Sequence, residues 1–121
     1  MPNLEAGIAV VTGAASGIGR AAAMRLANEG WSVAVADLPG EKLNDSLAAL
    51  PGEGHQKIEA DLGAPGAAAE LTDRVLDSMG APKLLMNNAA TRIGRGFDAP
   101  LEDWRALMEV NFWALVETCR R

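Results

Sequence analysis

Several residue types that carry catalytic or structural chemistry are absent, or nearly absent, from this sequence. Its 121 residues include no tyrosine, one cysteine and one histidine. Cys119 cannot form a disulfide within the chain, which fits a reducing compartment such as the cytoplasm. His55 has no cysteine or second histidine as a companion ligand, so we expect no metal site and place this histidine at the surface. Without a tyrosine, the chain cannot supply a phenolic proton donor.

Long apolar runs and an excess of basic residues are also missing. No run approaches the ~20 residues that a membrane-spanning helix needs, and the first five residues do not resemble a signal peptide. A net charge of −5 argues against nucleic acid or an anionic membrane as the main partner. The content of 49% hydrophobic and 22% charged residues is that of an ordinary globular protein. We therefore expect a single cytoplasmic domain with a buried core.

A glycine-rich segment directly follows an apolar run, in the sequence AVVTGAASGIGR at residues 9–20. Gly13, Gly17 and Gly19 fall close together, and an alanine-rich helical pattern comes next. A helix N-terminus carries unpaired N–H groups and partial positive charge, which a phosphate can approach only where side chains leave space. A tight turn alone would need one or two glycines, so the third favours a diphosphate-binding loop. The spacing differs from both the G-x-G-x-x-G and the P-loop patterns.

Strand-like and helix-like segments alternate along the whole chain. Short apolar or polar runs predict strands at Ile8–Val11, Trp31–Ala36, His55–Ala60 and Leu84–Met86. Helices are predicted over residues 17–29, from just after Pro39 to Leu50, from near Pro65 to Met79, and from Leu101 to about Arg120. This alternation predicts an α/β fold of the Rossmann type, a doubly wound parallel sheet covered by helices. The third strand is polar, which suits an edge, and the glycine loop needs a switch point, so the predicted strand order is 3-2-1-4.

Motifs in a fixed order along the chain resemble the short-chain dehydrogenase/reductase family. Residues 12–19, TGAASGIG, are similar to the family's TGxxxGxG cofactor loop. Asp37 follows the second strand, Asp61-Leu62 the third and Asn87-Asn88-Ala89-Ala90 the fourth, and Asn111 matches the asparagine of the family's asparagine, serine, tyrosine and lysine catalytic set. The resemblance covers essentially the whole chain. It implies an oxidoreductase that transfers a hydride between a nicotinamide cofactor and a carbonyl or alcohol carbon.

The resemblance assigns cofactor contacts to all four loops that follow the strands. In the family, the carboxylate matching Asp61 accepts a hydrogen bond from the adenine amino group while Leu62 packs on the ring, and Asn88 and Ala89 line a cofactor ribose. An N-cap role for Asp61 and an Asx-turn at Asn88 remain structural alternatives. Where the family usually has glycine, this chain has Ala90, which is harmless if its φ is negative. The candidate cofactor-binding residues are Gly13, Ser16, Gly17, Ile18, Gly19, Asp37, Asp61, Leu62, Asn88 and Ala89.

Asp37 has a physical role of its own at the end of the second strand. Its carboxylate can accept hydrogen bonds from the adenosine ribose hydroxyls of NAD while repelling the 2′-phosphate of NADP. Ala15, Ser16, Leu38 and Pro39 offer no cation to receive that phosphate. NAD is therefore the expected cofactor and NADP the less favoured one. The alternative is that Asp37 caps the helix beginning near Pro39.

The family's remaining catalytic residues have no counterpart in these 121 residues. A chain without tyrosine has no Tyr-x-x-x-Lys pair, and its lysines all precede the region where that pair belongs. We expect residues 1–121 to be an NAD(P)-binding domain that lacks the catalytic half and is inactive alone. The resemblance implies that Asn111 would hydrogen bond, directly or through water, to the family's lysine, and that a small carbonyl or alcohol is the substrate of the full-length form. The alternative function is a noncatalytic dinucleotide-binding module.

The last predicted helix contains a segment, residues 110–116, that is apolar nearly all round. Such a helix is normally buried on every side, and four strands with four helices cannot surround it. We expect a second half or a partner subunit to cover it. The resemblance implies a homo-oligomer formed through this helix. Arg92 and Arg95, in the loop before it, are expected to be solvated.

Overall fold

The computed structural model describes residues 5–91 and 96–120, so Arg92 and Arg95 lie outside the described residues. The strands are β1 (Ile8–Thr12), β2 (Ser32–Asp37), β3 (Gln56–Glu59) and β4 (Leu84–Met86). The helices are α1 (Gly17–Asn28), α2 (Glu41–Ala49), α3 (Ala67–Ser78), α4 (Leu101–Met108) and α5 (Ala114–Arg120). A π-helical turn, Glu109–Trp113, joins α4 to α5, and a short 3₁₀ turn, Gly96–Asp98, precedes α4. No helix in the described ranges is long and apolar enough to cross a membrane.

The four strands form one parallel sheet in the order β3-β2-β1-β4. Near the end of β1, Val11 is in register with Val35 of β2 and Met86 of β4. The predicted fold class and strand order are therefore confirmed. The carboxyl ends of all four strands meet at one edge of the sheet, and the loops that follow them are brought together there.

The sheet is buried on both faces because helices cover each of them, and the alternating side chains of its central strands pack against those helices. Val11, Val33 and Val35 pack on one face with Ala23 of α1 and Leu43 of α2. The opposite face is covered by α3, and α5 packs against α3. The buried residues of that face include Val10, Ala34, Ala36, Ile58, Leu71 and Val75.

Glycine residues stand directly before two of the predicted helices, and an irregular turn divides the last one. Helix α2 begins at Glu41, just after Pro39 as predicted, with Gly40 as its N-cap residue at a φ of 153°. Helix α3 begins at Ala67 after Gly66, which adopts the left-handed conformation with a φ of 78°. The last predicted helix is interrupted by the π-helical turn at Glu109–Trp113.

His55 is not the simple surface residue that the sequence suggested. Its half-buried ring lies just before β3, where Nδ1 accepts a hydrogen bond from the Val33 N–H at 3.0 Å. Nε2 lies 2.7 Å from the Pro51 carbonyl oxygen and, since Nδ1 is an acceptor, donates to it. The imidazole therefore joins the start of β2 to the loop that leads into β3.

Candidate functional site

The loops at the carboxyl ends of the strands enclose a cavity of about 620 Å³. Each of the four loops contributes to its wall, and α4 and the π-helical turn add Ala106 and Val110. This volume lies within the usual range for small-molecule sites. The candidate cofactor residues in the lining are Gly13, Ser16, Asp37, Asp61, Leu62, Asn88 and Ala89.

The glycine-rich loop presents the start of α1 to solvent beside this cavity. Ser16 is the N-cap residue, but its side chain makes no capping hydrogen bond. Gly17 and Ile18 are exposed, and the Ile18 side chain is 74% accessible. An uncapped first turn leaves backbone N–H groups and the positive end of the helix dipole available to an anion.

Two of the glycines are required for different physical reasons. A Cβ at Gly19 would collide with the Gly13 carbonyl oxygen and the Asn88 side-chain nitrogen, so only glycine allows the helix start to pack on the loop after β4. Gly17 has a φ of 57°, a left-handed conformation that side chains disfavour, and a Cβ there would meet no atom within 4 Å. The space at Gly17 is open, whereas the space at Gly19 is filled by the protein itself.

Asp37 joins the glycine-rich loop to the end of β2. Its Oδ2 accepts a hydrogen bond from the Ala15 N–H at 2.9 Å, and its Oδ1 accepts one from the Leu38 N–H at 2.7 Å. The N-cap residue of α2 is Gly40, so Asp37 does not cap that helix. The side chain is half-buried and lines the cavity.

Asp61 and Leu62, in the loop after β3, lie on the cavity wall. The Asp61 Oδ1 accepts a hydrogen bond from the Gly63 N–H at 2.9 Å. The N-cap of α3 is Gly66, so the alternative N-cap role for Asp61 is wrong. The Asp61 carboxylate instead shapes the turn that follows β3.

Asn88 and Thr12 connect the end of β4 to the end of β1. The Asn88 Nδ2 donates to the Gly13 carbonyl oxygen at 3.3 Å, which ties the loop after β4 to the glycine-rich loop. The buried Thr12 hydroxyl accepts hydrogen bonds from the N–H groups of Asn88 and Ala89, both at 3.0 Å. Among the described residues other than glycine none has a positive φ, so the methyl group of Ala90 introduces no such strain.

Asn111 lies in the π-helical turn and bonds to the backbone of Thr91. Its Oδ1 accepts from the Thr91 N–H and its Nδ2 donates to the Thr91 carbonyl oxygen, both at 2.7 Å. Thr91 lines the cavity, although Asn111 itself does not. The pair fixes the segment that leaves β4 against the last helix.

Sequence reasoning missed the hydrogen-bonding roles of Thr12, Ala15 and Thr91. Thr12 stands inside the glycine-rich motif, which was the one available signal for its role. Nothing in the local sequence marks Ala15 or Thr91, because their backbone groups bond to side chains 22 and 20 residues away.

The cavity wall contains two carboxylates, Asp37 and Asp61, and no lysine, arginine or histidine among its described residues. Among the described residues, backbone N–H groups and the α1 dipole are what this wall offers to an anionic ligand. Within residues 5–91 and 96–120 no cluster of three or more histidine, cysteine, aspartate or glutamate side chains could hold a metal ion.

A glycine-rich loop opening into α1, at the switch point of a 3-2-1-4 parallel sheet, defines a Rossmann-type α/β domain of the dinucleotide-binding class. The chain belongs to the short-chain dehydrogenase family, whose model matches residues 7–121. It is 39% identical over 123 residues to the 1-deoxy-11-beta-hydroxypentalenate dehydrogenase of Streptomyces exfoliatus, a match that covers 98% of this chain and 45% of that relative. It is 37% identical to the 2,3-dihydro-2,3-dihydroxybenzoate dehydrogenase of Bacillus subtilis over 90% of this chain and 43% of that enzyme. The chain thus spans less than half the length of these relatives.

Solved structures of the family share the same backbone. A short-chain dehydrogenase/reductase from Burkholderia phymatum in complex with NAD is 28% identical with a TM-score of 0.88, over 99% of this chain and 44% of that one. A metagenomic short-chain oxidoreductase in complex with NADP is 31% identical with a TM-score of 0.87, over 94% of this chain and 53% of that one. Relatives of nearly equal similarity therefore bind different dinucleotides, so the choice between NAD and NADP depends on particular residues.

Proposed function

We propose that this chain is the nicotinamide-dinucleotide-binding part of an oxidoreductase. One observation carries the proposal: the uncapped start of α1 and the carboxylate of Asp37 lie at the same cavity. The first suits a diphosphate and the second suits ribose hydroxyls. When bound, the cofactor supplies hydride transfer, and these residues bind and orient it.

NAD is the cofactor that the cavity fits better. A carboxylate has about four acceptor positions, and two of those on Asp37 are taken by the N–H groups of Ala15 and Leu38. The remaining capacity suits the two hydroxyls of an adenosine ribose. A 2′-phosphate would meet like charge, and no cation of the described cavity wall would offset the repulsion.

Calorimetric titration of the chain with NADH and NADPH tests this preference. We expect NADH to bind at least tenfold more tightly, since like-charge contacts cost several kcal/mol and ~1.4 kcal/mol corresponds to tenfold in affinity. Replacement of Asp37 by alanine should bring the two affinities closer together. Lys57→Ala, on the exposed side of β3, is the control and should preserve the parent ratio.

Equal affinities in the parent chain would contradict the NAD assignment. An unchanged ratio in Asp37→Ala would show that another residue selects the cofactor. Failure to bind either dinucleotide would count against the proposed function as a whole.

The activity we propose belongs to the whole protein, with a small carbonyl or alcohol compound as substrate. Asn111 takes part in it, and its side chain acts by holding Thr91 at the cavity, since both of its polar atoms are bonded to the Thr91 backbone. The alternative, a noncatalytic dinucleotide-binding module, predicts cofactor binding without turnover even in the whole protein. Assay of the full-length protein with NADH and a panel of aldehydes and ketones separates the two.

We further propose that the last helix forms a subunit interface. The side chains of Phe112 and Trp113 in the π-helical turn are 46% and 51% exposed, and Leu115 of α5 is also exposed. Large apolar side chains grouped on one exposed surface are typical of contact with another polypeptide. A homo-oligomer would bury them.

A further inference from the structure

The glycine-rich loop is held against β2 by consecutive backbone N–H groups. The Ala14 N–H donates to the carbonyl oxygen of Ala36 at 3.2 Å. The next one, the Ala15 N–H, donates to the Asp37 carboxylate at 2.9 Å. The second of these bonds depends on a side chain, and its acceptor is the residue to which the ribose contact is assigned.

We propose that Asp37 is also a positioning residue that sets the conformation of the glycine-rich loop before any cofactor binds. Its carboxylate is fixed in turn by the Leu38 N–H at 2.7 Å, so both oxygens have defined directions. Hydrogen bonds to a charged acceptor are stronger than those between neutral groups. Ala15 lies two residues before Gly17, the first residue of α1, so this bond fixes the backbone just ahead of the N–H groups available to phosphate.

The glycine-rich loop is also held from the β4 side of the cavity. This second attachment limits how far the loop can move when the Asp37 bond is lost. Asn88 donates to the Gly13 carbonyl oxygen from the β4 side. Loss of the Asp37 bond would leave the loop attached at Gly13 and Ala14 but free at Ala15. The start of α1 would then keep its place in the fold while losing its fixed orientation.

The inference rests on the proposed function, which supplies the ligand. It adds the separate claim that Asp37 affects binding through the glycine-rich loop. If Asp37 only accepts bonds from the adenosine ribose, its removal affects only ligands that contain that ribose. If Asp37 positions the loop, its removal also lowers the affinity for a ligand that carries a phosphate but no adenosine. Reduced nicotinamide mononucleotide is such a ligand.

The binding test compares reduced nicotinamide mononucleotide on the parent chain, Asp37→Ala and Asp37→Asn. We expect about a tenfold loss of affinity in Asp37→Ala, because binding must then also order the freed Ala15 backbone, and the cost of fixing one residue corresponds to about tenfold in affinity. Asp37→Asn should recover part of this loss, because its amide oxygen can accept from the Ala15 N–H while its NH₂ group cannot replace the acceptor for Leu38. Equal affinity of the parent and Asp37→Ala would overturn the proposal.

Amide hydrogen exchange without any ligand gives an independent readout. We expect the Ala15 amide to exchange at least tenfold faster in Asp37→Ala than in the parent, and at an intermediate rate in Asp37→Asn. The matched control is Asp61→Ala, which removes the other cavity carboxylate and should leave Ala15 exchange unchanged, since Asp61 bonds to Gly63. Retained protection of the β1 amides shows that each variant is folded.

Equal Ala15 exchange in the parent and Asp37→Ala would overturn the positioning role whatever the ligand data show. A parent chain that binds neither dinucleotide but shows the expected exchange pattern would contradict the proposed function and leave the positioning role supported. If Asp37→Ala does not fold, Asp37→Val, which also lacks an acceptor for the Ala15 N–H, decides both measurements, and unchanged Ala15 exchange there would overturn the proposal.

Discussion

Thr12, Asn88 and Asn111 show that polar side chains around the cavity are used to hold backbone. The Thr12 hydroxyl holds the start of the loop after β4, Asn88 holds the Gly13 carbonyl, and Asn111 holds Thr91. Each replaces hydrogen bonds that water would otherwise make with loop backbone. The shape of the cavity therefore depends on these side chains as well as on the strand ends that bring the loops together.

A different kind of residue, Ser46, opposes stability instead of supporting it. Ser46 lies in α2 and is 1% exposed. Its buried hydroxyl has no hydrogen-bond partner among the described residues. A buried polar group without a partner costs free energy, and alanine is also the better helix former. We expect Ser46→Ala to raise the free energy of unfolding by about 1 kcal/mol, measured by urea denaturation.

Ser78→Ala is the matched control for this substitution. The Ser78 hydroxyl is exposed at the end of α3 and bonds to Gln56 and to the Arg74 carbonyl oxygen. Its removal should not stabilise the chain. A destabilised Ser46→Ala would mean that the hydroxyl has a partner in solution.

At the scale of elements, the π-helical turn distinguishes the last helix from an ordinary amphipathic one. Such turns are rare and occur frequently at functional sites. This one, Glu109–Trp113, contains Asn111, and Val110 beside it reaches the cavity wall. The irregular turn thus places Val110 on the cavity wall and Asn111 against the segment that leaves β4.

The two hydrogen bonds between Asn111 and Thr91 lead to a testable prediction for the π-helical turn. Asn111→Ala removes both contacts, so we expect faster amide exchange at Thr91 and a loss of about 1–2 kcal/mol in the free energy of unfolding. Asn111→Asp keeps an acceptor for the Thr91 N–H but loses the donor to its carbonyl oxygen, and should show a smaller change in exchange. Asn44→Ala, on the exposed side of α2, serves as control. If the Thr91 amide exchanges at the same rate in Asn111→Ala and in the parent, then Asn111 does not hold the Thr91 backbone in place.

At the scale of the whole molecule, apolar surface is concentrated beside the last helix. Phe97 is 96% exposed, and its ring stacks on that of Trp104 with centroids 5.8 Å apart. Phe112 and Trp113 form a second aromatic pair, edge to face at 5.0 Å. Both pairs leave large apolar area in water.

We expect the purified chain to self-associate through this surface. Sedimentation velocity should show a concentration-dependent increase in mass for the parent, and Phe112→Ser with Trp113→Ser should reduce it. Leu76→Ser on α3, where the side chain is 40% exposed, is the control and should not reduce it. A monodisperse parent monomer would contradict the proposed interface.

The 121-residue chain should bind NADH without oxidising it. A positioned general acid typically contributes about 10²- to 10⁴-fold to rate, and this chain contains no tyrosine to act as one. His55 is engaged with Val33 and Pro51 before β3 and is not part of the cavity wall. NADH oxidation with a panel of aldehydes and ketones is the assay. Turnover above the uncatalysed rate would show that a group other than tyrosine donates the proton.

The sequence by itself determined the order of elements, the parallel sheet and the position of the glycine-rich loop. Those features follow from local signals: apolar runs for strands, helical periodicity between them, and glycines clustered after β1. The strand order 3-2-1-4 could also be inferred, because the polar third strand favoured an edge and the loop required a switch point. Residues such as Asp37 and Asp61 could be placed at the cavity because each directly follows a strand.

Only the tertiary structure decided what those residues bond to and where the last helix becomes irregular. The bond from Ala15 to Asp37 spans 22 residues, that from Thr91 to Asn111 spans 20, and that from Ala89 to Thr12 spans 77. Local propensity cannot encode such contacts, since they arise when separate strand ends converge at one edge of the sheet. The helix starts after Gly40 and Gly66 likewise depended on backbone conformations that the residue types permit but do not require.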